Sequence, residues 1–265
     1  ATGSTAWTIS GNSFYNGNVS GAINYAAAST LQGIRILGGS GYSILNNYIG
    51  GKGVLASGSN ATFSSTLGNI SYQGILLPTS SALPVSNIKG NTVAAISLFS
   101  IPTSAGSFAF MGIETNGAGI NIGGTAAGDG NIIGSAGSNG SVVITTSTTL
   151  TANTSLIKGI NCASTGGIVA GNQVAGFDIN NIGTAPASSS FTGIYINSAT
   201  PPSQVLNNII GSSAASNSIQ VLSTSSATTT SLTGLSVGTA VSLNVLLSGN
   251  IVENISSLSL TSSGS

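Results

Sequence analysis

One short pattern recurs seven times along this chain, and its period decides what the chain can fold into. The pattern is an apolar residue, any residue, Gly or Asn, then Asn, any residue, and an apolar residue. It reads Ile9-Ser10-Gly11-Asn12-Ser13-Phe14 in its first copy and Ile44-Leu45-Asn46-Asn47-Tyr48-Ile49 in its second. Ile88 to Val93, Val169 to Val174, Val205 to Ile210 and Leu247 to Val252 follow the same rule. The fourth copy, Gly128-Asp129-Gly130-Asn131-Ile132-Ile133, carries Gly where the first apolar residue belongs. The key residues Asn12, Asn47, Asn91, Asn131, Asn172, Asn208 and Asn250 lie 35, 44, 40, 41, 36 and 42 residues apart. Self-similarity at such a period is the mark of stacked repeats rather than of a closed globule.

A second column keeps the same period. Between successive Asn motifs stands a Gly followed by a branched aliphatic: Gly33-Ile34, Gly74-Ile75, Gly112-Ile113, Gly159-Ile160, Gly193-Ile194 and Gly234-Leu235. Two residues before each Gly is a large apolar side chain (Leu31, Tyr72, Phe110, Ile157, Phe191, Leu232). Two residues after each aliphatic come Ile36, Leu77, Thr115, Cys162, Ile196 and Val237. This alternation predicts a strand with one buried face. The Asn motif supplies a second strand, and a third follows it at Ile23, Ile96, Val142, Phe177 and Ile219.

Three short strands per repeat of roughly forty residues, with no helical spacing, predict one coil of a parallel β-helix. The expected fold class is all-β, a parallel β-helix solenoid of about seven coils of three short strands, spanning residues 1–265 as a single unit. Coils stacked at about 4.8 Å make a stiff rod of about 34 Å. The residue before the key Asn, Gly or Asn, tolerates positive φ and marks a bend. The key Asn itself is expected to point inward and bond to the amides above and below, as identical stacked amides do.

The alternation, the Asn turn and the coil length resemble the parallel β-helix repeats of the pectate-lyase-like superfamily, over residues 7 to about 260. That resemblance is specific for the fold and not for an activity; it implies a right-handed coil. The loops rich in Ser, Thr, Ala and Gly resemble the β-helix regions of large bacterial surface adhesins.

Composition narrows the function. There are four basic and four acidic side chains, no His, and a net charge of zero. Nucleic-acid binding needs clustered Lys and Arg to displace counterions, so none is expected. No run approaches eighteen apolar residues, so membrane insertion by a helix is not expected. The first coil lacks a preceding Gly-Ile strand, so neighbouring domains or subunits are expected to cover open coil ends. The one cysteine, Cys162, falls in the inward column and reads as a small buried apolar side chain.

Catalysis finds little purchase. Glycoside hydrolysis needs two carboxyl groups about 5–9.5 Å apart, and lyases resembling this fold use acidic calcium ligands and a base. Glu114 shares an outward column with Arg35, Leu76, Asn161, Tyr195 and Ser236, but no second acid stands one coil away at its phase. Asp129 shares its phase with Lys89, one coil away, and predicts a surface ion pair worth under about 1 kcal/mol. Asp178 and Glu253 are two coils apart. Without His there is no Ser-His-Asp chemistry, and no metal-ligand set or phosphate loop is present. No catalytic, cofactor-binding or metal site is therefore assigned, and no cofactor is expected.

The expectation is a non-catalytic, extracellular structural or adhesive segment of a bacterial cell-surface or filament protein. Its contact strip would be Arg35, Glu114, Asn161 and Tyr195, and its partners glycans, a surface or other subunits. The alternatives are a carbohydrate-active or carbohydrate-binding β-helix and a self-assembling fibre subunit.

Overall fold

The computed structural model describes residues 6–17, 20–65, 67–78, 84–101, 107–147, 154–182, 188–197, 204–224, 230–238 and 245–259. Apart from one short 3-10 turn, Val54–Ala56, every regular element among them is a β-strand. The strands gather into four parallel sheets that run the length of the molecule, three of seven strands and one of six. The chain visits them in a fixed order. In one coil it runs through Ser86–Lys89 in the first sheet, Thr92–Val93 in the second, Ile96–Ser100 in the third and Ser107–Ala118 in the fourth. It then re-enters the first sheet one storey on, at Ile120–Gly123. This is a parallel β-helix solenoid.

Three strands per coil are corrected to four, because the Asn motif is two strands rather than one. The cause is the residue before the key Asn. Gly11, Asn46, Gly90, Gly171, Asn207 and Gly249 all take positive φ, between 53° and 69°. A single left-handed residue ends one strand, turns the chain, and starts the next without a loop. The apolar residue ahead of the turn then belongs to the first sheet and the one behind it to the second.

The fourth copy of the motif also needs correcting. Gly128 does not replace the apolar residue. Ile122 occupies that place, pairing with Ile88 below and Val169 above. Residues 124–129 form an excursion before the chain returns to the column at Asn131. The apolar register was present in the sequence, displaced by an insertion.

In the fourth sheet strict alternation fails at the glycine. Leu31, Tyr72, Phe110, Ile157, Phe191 and Leu232 align in one column, and Ile34, Ile75, Ile113, Ile160, Ile194 and Leu235 in another. The columns are three residues apart, not two, so Gly and the following aliphatic both face the interior. The Gly column packs directly under the second sheet. A Cβ on Gly112 would lie 2.4 Å from Ile133 Cγ2 and 2.6 Å from the carbonyl oxygen of Gly159. Close approach, not unusual φ, is what requires glycine here.

The interior is a continuous apolar column of Ile, Val, Leu and Phe drawn from all four sheets. Aromatic rings form a vertical run within it. Phe63, Tyr72, Phe110, Phe177 and Phe191 follow one another at centroid separations of 6.0, 6.0, 5.5 and 5.1 Å, inside the range where offset and edge-to-face pairs are favourable. At the corner between the third and fourth sheets the inward side chains become polar: Ser100, Thr146, Asn181 and Ser223 stack in register and are buried. Ser100 Oγ ties that corner to the start of a fourth-sheet strand, accepting from the Ile70 amide and donating to Asn69 Oδ1.

Candidate functional site

Two sets of side chains stand out, one inside the solenoid and one on its flank. The inner set is the asparagine column. Each key Asn from Asn12 to Asn208 donates from Nδ2 to Oδ1 of the Asn in the next coil, at 2.8–3.0 Å, so that six bonds join the seven storeys. The same Oδ1 also accepts the backbone N–H of the Asn below it, at 3.0–3.1 Å. From Asn47 onward, Nδ2 sends its second hydrogen back to a carbonyl in the preceding coil, that of Ile9, Ile44, Ile88, Ile122, Val169 or Val205. An interior Asn therefore uses both amide hydrogens and both oxygen lone pairs. The five middle members are fully buried, and the full satisfaction of each amide is what makes that burial affordable.

The outer set lies on the outward face of the fourth sheet. Arg35, Leu76, Glu114, Asn161, Tyr195 and Ser236 align one above another, as the spacing predicted. Sequence reasoning missed the column beside it: Gln32, Gln73, Met111, Lys158 and Thr192 are also in register. The two columns interlock. Gln32 Nε2 donates to Gln73 Oε1 at 2.6 Å, and Gln73 Nε2 donates to Glu114 Oε2. Asn161 Nδ2 donates to Glu114 Oε1 at 3.3 Å and lies 3.7 Å from Met111 Sδ. Lys158 Nζ donates to Asn161 Oδ1 at 3.1 Å and sits 4.0 Å from the centre of the Tyr195 ring.

This face is not the evenly solvated surface an outward column suggests. Arg35 is exposed, but Leu76 and Asn161 are buried, with Glu114 and Tyr195 half-buried. The contact strip therefore divides, with Arg35 open to solvent and Asn161 closed off. Burial pushes the Lys158 ammonium below the usual lysine range, and the negative charge of Glu114 opposes that shift. The missed signal is Gly159, which faces inward against Val174 beside the buried Ile160, so that two successive residues point to the interior. It makes residues three apart, Lys158 and Asn161, outward neighbours where plain alternation would pair residues two apart.

The other charged groups are separate. Lys89 Nζ meets Asp129 Oδ2 at 2.9 Å, the ion pair the shared phase predicted. Asp178 accepts from Gln220 Nε2 at 3.1 Å. Cys162 is buried in the inward column, and burial pushes its thiol up despite hydrogen bonding with Ser164 and Thr115. Among the described residues no group of three His, Cys, Asp or Glu could hold a metal ion.

A solvent-open recess of about 640 Å³ lies on the opposite flank, where the second and third sheets meet. Its wall carries Asn60, Thr92, Ser135, Ser138, Asn139 and Ser141, with no charged group among its lining residues. Asn60 Nδ2 braces it by donating to the Gly140 carbonyl at 3.1 Å.

No protein-family model, no curated protein and no solved structure matches this chain.

Proposed function

We propose that this chain is a non-catalytic structural and adhesive β-helix, working outside the cell as part of a bacterial surface or filament protein. The observation that carries the reading is the unbroken amide ladder from Asn12 to Asn250. Each storey is tied to the next by backbone pairing in the sheets and by side-chain amides inside, which suits a rod that bears load along its axis. The near-absence of charge leaves hydrogen bonding as the means of contact, so adhesion would vary little with salt. Arg35, Glu114, Asn161 and Tyr195 form the candidate strip, with Arg35 and Tyr195 the reachable members.

The recess favours a second, compatible reading as a carbohydrate-binding module. Its Asn, Ser and Thr side chains offer donors and acceptors to the hydroxyls of an uncharged sugar chain. The test is retention of beads carrying the purified chain on neutral polysaccharide surfaces. Retention that is equal at low and high salt, and is lost in Asn60→Ala, supports adhesion through the recess. Depolymerisation that disappears in Glu114→Gln overturns the non-catalytic reading in favour of a carbohydrate-active enzyme. Filaments seen by electron microscopy at rising concentration favour the fibre subunit instead.

A further inference from the structure

Lys158, Asn161 and Glu114 bring together the three groups that a side-chain amide exchange requires: an amine, a carboxamide and a carboxyl that can carry a proton between them. From this geometry we propose that Lys158 and Asn161 join in an intramolecular isopeptide bond, with Glu114 as the proton carrier.

Asn161 links the other two groups by hydrogen bonds, one to each. Lys158 Nζ is hydrogen-bonded to Asn161 Oδ1 at 3.1 Å, which holds the amine beside the carboxamide it would attack. Asn161 Nδ2, the nitrogen that must leave, is hydrogen-bonded to Glu114 Oε1 at 3.3 Å. The other carboxyl oxygen is held by Gln73 Nε2, itself in a chain with Gln32, which fixes the carboxyl plane. The surroundings limit water: Asn161, Met111, Leu76 and Gln73 are buried, and the Tyr195 ring covers the amine. Burial also favours the neutral, nucleophilic amine, although Glu114 pulls the other way. No other lysine among the described residues has this set. Lys89 faces Asp129, which carries no amide to lose.

The step balances without a co-reactant. The ammonium first gives one proton to solvent. The Nζ lone pair then forms a bond to Asn161 Cγ, and the Cγ–Nδ2 bond breaks. Of the two hydrogens left on Nζ, one stays on the new amide, and the other passes through Glu114 to the departing nitrogen, which leaves as ammonia. Nothing is oxidised or reduced. The product closes a ring over Gly159 and removes one positive charge from a chain of net charge zero.

Intact mass spectrometry of the denatured full chain tests this directly. The expected mass is about 17 Da below that of the sequence, the mass of one ammonia lost to the lysine nucleophile. Trypsin should fail to cut after Lys158, and fragment spectra should place the link between Lys158 and Asn161. Glu114→Gln and Lys158→Arg should show their full sequence masses, with circular dichroism verifying that both keep the β-structure. A wild-type chain at full mass, cut by trypsin after Lys158, overturns the proposal. So does an ammonia deficit that maps to a succinimide elsewhere, or a link that forms equally well in Glu114→Gln.

Discussion

At the scale of single residues, the chain is governed by what two columns of small polar and small apolar positions must touch. Asn131 serves five hydrogen bonds: two received on Oδ1, two sent from Nδ2, and one from its own amide. Asn131→Ala strands the amide groups of Asn91 and the carbonyl of Ile88. At about 1–3 kcal/mol for each buried group left unpaired, with partial relief by water, a loss of roughly 3–5 kcal/mol is expected. Asn12→Ala, at the exposed end of the ladder, should cost under about 1 kcal/mol. Chemical denaturation of the two variants gives the comparison, and equal losses would show that the ladder does not stabilise the fold. Gly112→Ala makes a different demand. Its Cβ would collide with Ile133 and the Gly159 backbone, so a destabilisation of about 1–3 kcal/mol is expected. Ile133 is itself fully buried, so Ile133→Ala is costly alone, but the double variant Gly112→Ala with Ile133→Ala should lose less than the sum of the two single losses, because one of the two collisions is removed. The Asn column was legible from sequence because each copy carries the same residue at the same phase. The second requirement on glycine was not, because the side chain it must avoid comes from another sheet.

At the scale of elements, strand boundaries follow from where the chain turns. A left-handed residue before the key Asn splits one apparent strand into two, and the two flanking apolar residues then serve different sheets. The excursion of residues 124–129 provides a test. Deleting Gly124–Asp129 leaves Ile122-Gly123-Gly130-Asn131-Ile132-Ile133, which satisfies the repeated pattern. The deletion variant should fold with its ladder intact and a Tm within a few degrees of the parent, because the lost Lys89–Asp129 pair is partly exposed and such pairs are worth about 1 kcal/mol or less. Thermal melts followed by circular dichroism give the answer, and a molten or unfolded product would show that the excursion is part of the scaffold. The same reasoning explains the Lys158–Asn161 contact. Alternation of period two puts them on opposite faces, and the successive inward residues Gly159 and Ile160 put them side by side.

At the scale of the whole molecule, neutrality and burial decide the response to solvent. With so few charges and one ion pair among the described residues, stability should change little between low and high salt, in contrast with a charge-laced rod. Alkali is the exception. Burial raises the Cys162 thiol and the Tyr72 phenol above their ordinary values. Both groups therefore hold their protons longer in the folded chain than in the unfolded one. The unfolded state then binds fewer protons once the pH passes the ordinary thiol value of about 8.5, and stability falls as the pH climbs further. Below that value the contribution is fully present. Urea titrations from pH 6 to 10, repeated on Cys162→Ala, should show a flatter alkaline limb in the variant; superimposable limbs would remove Cys162 from the account.

The sequence by itself determined the solenoid, its seven storeys, the inward asparagines and the alignment of Arg35, Glu114, Asn161 and Tyr195. All of these follow from a period, and a period is visible in one dimension. Only the tertiary structure decided that each coil has four strands, that Ile122 rather than Gly128 completes the fourth motif, and that Lys158 meets Asn161 beside Glu114. Those outcomes depend on a turn, an insertion and a pair of successive inward residues. Each breaks the simple alternation of faces or the spacing of the motif, and the break becomes visible only when strands some forty residues apart are laid side by side.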